Sequence, residues 1–129
     1  VVTTLEAGRD GALLHRPGVR GAQLQEAIAS IESDYADPAF SPPQLAAKLG
    51  LTQRSIQDLL HETGRTFSER VMELRLQKAR AMLADRRHNK SKISDIAYAC
   101  GFNEVPYFNR CFRRRFGAPP SHYRGEGRD

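Results

Sequence analysis

Two predicted helices carry side chains of the types that hydrogen-bond to the edges of DNA bases. Four polar residues fall on one side of the first helix, at roughly 100° per residue: Arg54, Gln57, Asp58 and His61. Three apolar residues fall on the opposite side: Ile56, Leu59 and Leu60. Arginine and glutamine form bidentate hydrogen bonds with guanine and adenine, so the polar side is a candidate for base recognition. The competing interpretation is an ordinary solvated helix surface.

The second helix shows the same division into an apolar and an outward side. Phe108 and Phe112, four residues apart, take the inward positions. Four residues point outward, Pro106, Asn109, Arg110 and Arg113, with Val105 at the side. Pro106 lies in the first turn, where its missing N–H costs no helix hydrogen bond. The aromatic residues of this segment have the spacing of a buried core, which we favour over a platform for stacking bases: Tyr107, Phe108, Phe112 and Phe116.

A repeated turn pattern precedes and positions both helices. Ala46 stands four residues before Gly50, and Ala97 stands four residues before Gly101. Apolar residues flank each glycine at the same relative positions, and a small alanine permits two helices to cross closely. Glycine can adopt the positive φ that such a turn needs. The pattern predicts two helix-turn-helix motifs, which form an internal repeat.

The charge of the chain favours a polyanionic partner. The 129 residues carry a formal net charge of +5, with an isoelectric point of about 9.6. From Val105 to Arg124 the sequence contains no acidic residue but five arginines: Arg110, Arg113, Arg114, Arg115 and Arg124. We assign Arg113 and Arg114 to DNA phosphates, which would supply affinity that is independent of base sequence. A solvated run of charge is the alternative.

Several other classes of protein are disfavoured by the composition. No apolar run reaches the roughly 18 residues that span a membrane, and no signal-peptide pattern is present. Cys100 and Cys111 fall at core-type helix positions, which favours two buried free thiols over a disulfide. Neither cysteine has a partner at metal-ligand spacing, and the four histidines are scattered along the chain. We therefore expect no catalytic site, no metal and no cofactor.

Helical periodicity predicts an all-α fold of about seven helices. The predicted helices cover residues 21–36, 42–48, 52–62, 66–85, 93–99, 103–115 and 120–124, with a polar loop over 86–92. Thr52 is a predicted N-cap, and two capping boxes are predicted, at Ser41 with Gln44 and at Thr66 with Glu69.

These elements predict two helix-turn-helix subdomains that are joined by one helix. The predicted division is a linker or the tail of a missing N-terminal domain over 1–20, the first subdomain over 21–65, the connecting helix over 66–86, the second subdomain over 87–124 and a C-terminal tail over 125–129. The start at Val1 and the glycines and proline near it favour a piece of a longer protein.

The residues of both motifs resemble the DNA-binding domain of the AraC/XylS family of bacterial transcription regulators. The resemblance covers about residues 22–124. In the second half it follows the family signature almost position for position: Ile96-Ala97, Cys100-Gly101-Phe102, Tyr107-Phe108, 112–117 and 120–124. In the first half the matching residues are Leu45-Ala46-Ala47, Gly50 and 75–80.

The resemblance implies two helix-turn-helix units, joined by the helix over 66–85, that enter successive major grooves on one face of DNA. Carried over by position, the base contacts fall on seven residues: Arg54, Gln57, Asp58, Val105, Pro106, Asn109 and Arg110. Asp58 can accept a hydrogen bond from the amino group of cytosine. Val105 and Pro106 can offer only apolar contacts to thymine methyl groups.

The expected function is sequence-specific binding of double-stranded DNA at an asymmetric two-part site, in the regulation of bacterial transcription and with activation as the expected direction. RNA polymerase is the second expected partner, and no membrane is involved. The expected location is the cytoplasm, at the bacterial nucleoid. The resemblance also implies a ligand-sensing or dimerisation domain in most members, which this chain lacks.

Two other functions compete with DNA binding. Some family relatives carry a reactive cysteine that repairs alkylated DNA, but Cys100 precedes the turn glycine and Cys111 faces the predicted core, so we expect no enzyme. The other is a protein-interaction module that has lost DNA binding. The presence of Arg54, Gln57 and Arg110 on the outward faces argues against it.

Overall fold

The computed structural model describes residues 17–124, which form six α-helices and two short 3₁₀ helices. The α-helices are α1 (Pro17–Asp34), α2 (Pro42–Leu49), α3 (Gln53–His61), α4 (Phe67–Ala84), α5 (Ile93–Ala99) and α6 (Val105–Phe116). The 3₁₀ helices are Arg86–His88, within the predicted polar loop, and Pro120–Tyr123, which is the seventh predicted helix. No residue of 17–124 lies in a strand, and the all-α prediction is confirmed.

Two helices begin two or more residues away from the predicted start. The first starts at Pro17 instead of residue 21, because proline is well suited to the first turn of a helix, and it ends at Asp34. Residues 17–20 of the predicted linker are therefore helical. The rest of that linker, and the predicted tail over 125–129, lie outside the described residues. The helix predicted over 103–115 begins at Val105, with Glu104 in extended backbone as its N-cap.

The described residues divide into two compact units. The first unit contains the residues up to Asp34 together with Phe40–Arg70, and the second contains Tyr35–Ala39 and the residues from Val71 onward. The division falls inside α4, so this helix contributes its first turn to one unit and the remainder to the other. Each unit contains one of the repeated turns.

The turns at Gly50 and Gly101 share the same hydrogen bonds. In the first turn, the Leu51 N–H donates to the Ala46 carbonyl at 2.9 Å, and the Gly50 N–H donates to the Ala47 carbonyl at 3.3 Å. In the second, Phe102 donates to Ala97 at 3.0 Å and Gly101 to Tyr98 at 3.1 Å. These are the two bonds of a Schellman motif, with the glycine at positive φ (69° and 105°). The predicted repeat is therefore a repeat of one helix-ending turn.

In the first unit, the turn joins two helices that pack on α1. The buried apolar residues are Ala27, Ile31, Phe40, Leu45, Ala46, Ile56, Leu59, Leu60 and Phe67. Each large aliphatic side chain among them contributes roughly 1.5–3 kcal/mol relative to its exposed state. Because Ile56, Leu59 and Leu60 are held in this core, the opposite side of α3 is exposed.

In the second unit, aromatic rings from α6 fill the core. The side chains of Phe108 and Phe112 are fully buried, with ring centroids 5.7 Å apart. The Phe112 ring centroid also lies 4.7 Å from that of Phe116 and 5.4 Å from that of Tyr123. The core prediction for this segment is confirmed except at Tyr107, which is 43% exposed.

The capping predictions had different outcomes. The Thr66 N–H donates to Glu69 Oε1 at 2.8 Å, and the Glu69 N–H donates to Thr66 Oγ1 at 3.1 Å, so this capping box is confirmed. Thr52 Oγ1 accepts from the Ser55 N–H at 3.0 Å, as predicted. The box at Ser41 is wrong, since its side chain forms no cap hydrogen bond. Pro42 and Pro43 follow directly, and their missing N–H groups remove two of the four donors that are left without a helix partner in the first turn.

Candidate nucleic-acid interface

The first candidate surface is the outward side of α3. Arg54, Gln57 and Asp58 are all exposed on it. The helix begins at the Thr52 cap directly after the Gly50 turn, so α2 and the turn fix where this side points. The structure therefore brings these three sequence-predicted residues together on one polar surface of the first unit, and His61 is exposed at the end of the same helix.

The second candidate surface is the outward side of α6. Pro106, Asn109 and Arg110 are exposed, and Val105 is half-buried. Pro106 occupies the first turn of the helix, in agreement with the sequence interpretation. The burial of Phe108 and Phe112 fixes the rotation of α6, which leaves Pro106, Asn109 and Arg110 facing away from the core and Val105 at the side.

Two of the five arginines between residues 105 and 124 form contacts within the second unit. Arg115 forms a bidentate ion pair with Glu73, in which Nε donates to Oε1 at 2.8 Å and Nη2 donates to Oε2 at 2.9 Å. The Glu73 carboxylate raises the pKa of Arg115. Arg124 donates to three backbone carbonyls, those of His88, Asn89 and Ser91, at 2.6–3.0 Å. The basic character predicted for this segment therefore overstates the charge available to a partner.

The other three arginines of this segment are exposed on α6: Arg110, Arg113 and Arg114. The Arg110 guanidinium lies 5.7 Å from the centroid of the Tyr107 ring. A hydrogen bond with Cys111 is the main cause that raises the pKa of the Tyr107 phenol. Three guanidinium groups on one helix, without the internal partners of Arg115, form a surface that attracts phosphates.

Arg75 is a residue whose role the sequence pattern did not predict. It is half-buried in the second unit, and its Nε and Nη2 donate to the carbonyls of Tyr35 at 2.7 Å and Asp37 at 3.0 Å. Desolvation by burial lowers the pKa of Arg75. A Cβ built on Gly101 would lie 2.6 Å from Arg75 Nε, so the turn that positions α6 rests directly against this arginine. Only the family resemblance singled out this position.

The two cysteines are free thiols. Cys100 is buried, and desolvation raises its pKa to about 11, so it stays protonated at neutral pH. Its Sγ lies 3.8 Å from Met82 Sδ. Cys111 is half-buried instead of fully buried, because it lies at the side of α6 next to the exposed Tyr107.

Two kinds of feature are absent from residues 17–124, namely a cluster of metal ligands and a membrane-spanning helix. Over this range, no cluster of three or more His, Cys, Asp or Glu residues could hold a metal ion. Over the same range, no helix combines the length and apolar character that a membrane span requires.

The fold and the exposed surfaces define a class of protein. Each unit holds a short helix, a Schellman turn and an amphipathic second helix, which is the helix-turn-helix arrangement that places its second helix in the major groove. Two such units with polar outward faces, in a chain of net charge +5, define a tandem helix-turn-helix DNA-binding domain.

Comparison with known proteins identifies the family. Residues 45–126 match the helix-turn-helix domain family, and the chain belongs to it, as a DNA-binding domain of the AraC type. The predicted family and the predicted role in DNA-binding transcription regulation are confirmed.

Two curated relatives are named transcriptional activators. The transcriptional activator RhrA of Rhizobium meliloti (strain 1021) is 39% identical over 94 residues, which are 73% of this chain and 30% of RhrA. The HTH-type transcriptional activator RhaS of Escherichia fergusonii is 36% identical over 126 residues, which are 97% of this chain and 44% of RhaS. The chain thus spans less than half the length of these relatives.

Solved structures share the fold. An AraC-type transcriptional regulator from Chromobacterium violaceum has a TM-score of 0.71 and 28% identity, over 83% of this chain and 93% of that one. The C-terminal domain of the response regulator yesN from Fusobacterium nucleatum has a TM-score of 0.70 and 28% identity, over 78% of this chain and 96% of that one.

Proposed function

We propose that this chain is the DNA-binding part of a bacterial transcription activator that binds an asymmetric, two-part site in double-stranded DNA. The observation that supports this most directly is the repeated Schellman turn, which is followed in both units by a helix with a buried apolar side and an exposed polar side. The names of RhrA and RhaS support activation as the direction of regulation.

In this proposal, α3 and α6 are the recognition helices. Arg54 and Gln57 form bidentate contacts with bases in one major groove, and Asp58 accepts from a cytosine amino group. Asn109 and Arg110 contact bases in the next groove, while Val105 and Pro106 contact thymine methyl groups. Arg113 and Arg114 bind phosphates, which positions α6 without selecting a sequence.

Because the chain functions by binding, we propose that it catalyses no reaction. An activator acts at a promoter, so RNA polymerase is the proposed protein partner and the cytoplasm, where bacterial DNA lies, is the proposed location. The activator RhrA is much longer than this chain, which supports a ligand-sensing or dimerisation domain elsewhere in the intact protein.

The proposed site has a geometry that can be measured. Since two recognition helices belong to one chain, a monomer is expected to protect two sub-sites whose centres are about 10 base pairs apart, one turn of the duplex. To test this spacing, binding sites are selected from a random DNA pool. Footprinting on the selected sites and the stoichiometry of the complex then give the protected sub-sites and the number of bound chains. If the selected sites are palindromes that bind only two copies of the chain, the tandem arrangement is wrong.

A second prediction concerns electrostatics. With at least Arg113 and Arg114 bound to phosphates, the logarithm of affinity is expected to fall against the logarithm of salt concentration with a slope of about −2 or steeper. Mobility-shift or anisotropy titrations on a mixed-sequence duplex over a range of potassium chloride concentrations give this slope. A slope near zero with retained binding would contradict the phosphate assignment, and an absence of binding at low salt would favour a protein-interaction module.

A further inference from the structure

An open groove of about 410 Å³ lies alongside α6 in the second unit. Its α6 side is lined by Val105, Asn109, Arg110 and Arg113. The remaining lining residues come from the start of α5 and from the segment that follows α6, and they are Ile93, Pro119, Pro120 and Ser121. The side of α6 that is proposed to contact bases is therefore one wall of the groove. The start of α5 and the segment after α6 form the second wall.

The lining of the groove suits a polymer in which anionic and apolar groups alternate. It contains two guanidinium groups, one amide and one hydroxyl, and none of its residues is acidic. Ile93 and the two prolines add apolar surface to the same groove. The sugar–phosphate backbone of DNA has this alternation, with an anionic phosphate and a largely apolar deoxyribose ring in every nucleotide.

The position of the groove points to the same occupant. The major groove of B-DNA is about 12 Å wide and is bounded on both sides by sugar–phosphate strands, so a helix inserted into it has a strand running alongside. We propose that the groove holds the backbone of one DNA strand at the edge of the major groove that α6 enters. Arg113 and the Ser121 hydroxyl bind a phosphate, and Ile93 and Pro119 contact deoxyribose. The proposal rests on the proposed function, because it requires α6 to lie in the major groove.

The second wall of the groove is held in place before any ligand binds. Arg124, at the end of the 3₁₀ helix that contains Ser121, donates to the carbonyls of residues 88, 89 and 91, directly before the segment that leads to Ile93. The Tyr123 hydroxyl donates to the Phe116 carbonyl at 2.7 Å, which fixes the same 3₁₀ helix to the end of α6. A preformed groove reduces the conformational entropy that binding would otherwise cost.

Two neighbouring substitutions test the proposal with the same change of charge. Ser121 lines the groove, whereas His122 is exposed next to it and is absent from the lining. We expect Ser121→Glu to weaken binding to a mixed-sequence duplex of about 24 base pairs by roughly tenfold and to make the salt slope shallower by about one. The loss of affinity with His122→Glu should be several-fold smaller, because its exposed side chain lies outside the groove and cannot displace the phosphate, while salt weakens its repulsion of the duplex. Equal effects of the two variants would overturn the proposal.

A second measurement identifies the phosphate and does not depend on a glutamate variant folding. A sequence recovered by selection is prepared as a series of duplexes, each with one neutral methylphosphonate. The wild-type chain should bind more weakly to duplexes whose methylphosphonate stands at one or two adjacent positions on one strand. For Arg113→Gln, a methylphosphonate at those same positions should no longer lower the affinity. An unchanged profile for Arg113→Gln overturns the groove assignment while leaving DNA binding intact. Failure of the wild-type chain to bind any duplex overturns the proposed function as well.

Discussion

Gly101→Ala is expected to destabilise the second unit strongly, whereas Gly50→Ala is expected to destabilise the first unit only slightly. Both glycines have positive φ, which alone costs alanine about 1–2 kcal/mol. A Cβ at Gly101 would also lie 2.9 Å from the Tyr35 carbonyl oxygen, 3.1 Å from that of Ala36 and 2.6 Å from Arg75 Nε. Backbone oxygens cannot rotate away, so the expected loss at Gly101 is about 3 kcal/mol or more. At Gly50 no atom lies within 4 Å of the added Cβ, and about 1 kcal/mol is expected.

Urea denaturation followed by far-ultraviolet circular dichroism measures the two losses on the same domain. DNA affinity gives an independent readout, because α6 is positioned by the Gly101 turn and should lose its contacts when that turn is displaced. Both variants add one methyl group at a positive φ, of 69° at Gly50 and 105° at Gly101, and only the methyl group at Gly101 meets neighbouring atoms. Equal destabilisation by Gly101→Ala and Gly50→Ala would show that backbone conformation, and not the contact with Arg75 and residues 35–36, determines the cost.

This pair of glycines also shows how far the sequence could predict the fold. The spacing of alanine, glycine and apolar residues predicted both turns, because a Schellman turn is a local structure that depends on residues within one helical turn of the glycine. The contact of Gly101 with Tyr35 and Arg75 could not be predicted in this way. It joins residues 26 and 66 positions apart along the chain, and no local pattern records it.

The arginines of α6 show the same limit at the candidate site. Arg113, Arg114 and Arg115 are adjacent in sequence and chemically identical, so the sequence could indicate only that they would not all face one groove. The structure separates them through Glu73, a residue 42 positions before Arg115, which pairs with that arginine. By contrast, the outward sides of α3 and α6 were predicted, since their rotation follows from the apolar residues on the same helix.

The largest functional effects are expected from substitutions on those outward sides. Arg54→Ala and Gln57→Ala should relax base preference in one half of the DNA site only, and Arg110→Ala should do so in the other half. Each lost bidentate contact is expected to cost about 1–3 kcal/mol, or roughly 5–150-fold in affinity for the preferred base. The effect should be confined to one or two base pairs, because a side chain at a base edge reaches no further. Binding of each variant to a panel of operators with single base changes measures it.

Arg114→Ala is the matched control for this experiment, since it removes the same side chain and the same charge from an exposed helix position. A phosphate contact is independent of the base, so this variant should weaken binding to every member of the panel by about the same factor and reduce the salt slope by about one. With Arg110→Ala, the affinity should instead become independent of the base at the one base pair that Arg110 contacts, because the wild-type preference there comes from the contact that is lost. If Arg110→Ala and Arg114→Ala give the same uniform loss across the panel, the division of α6 into base-contacting and phosphate-binding arginines is wrong, and Asn109 becomes the remaining candidate for hydrogen-bonded base recognition by that helix.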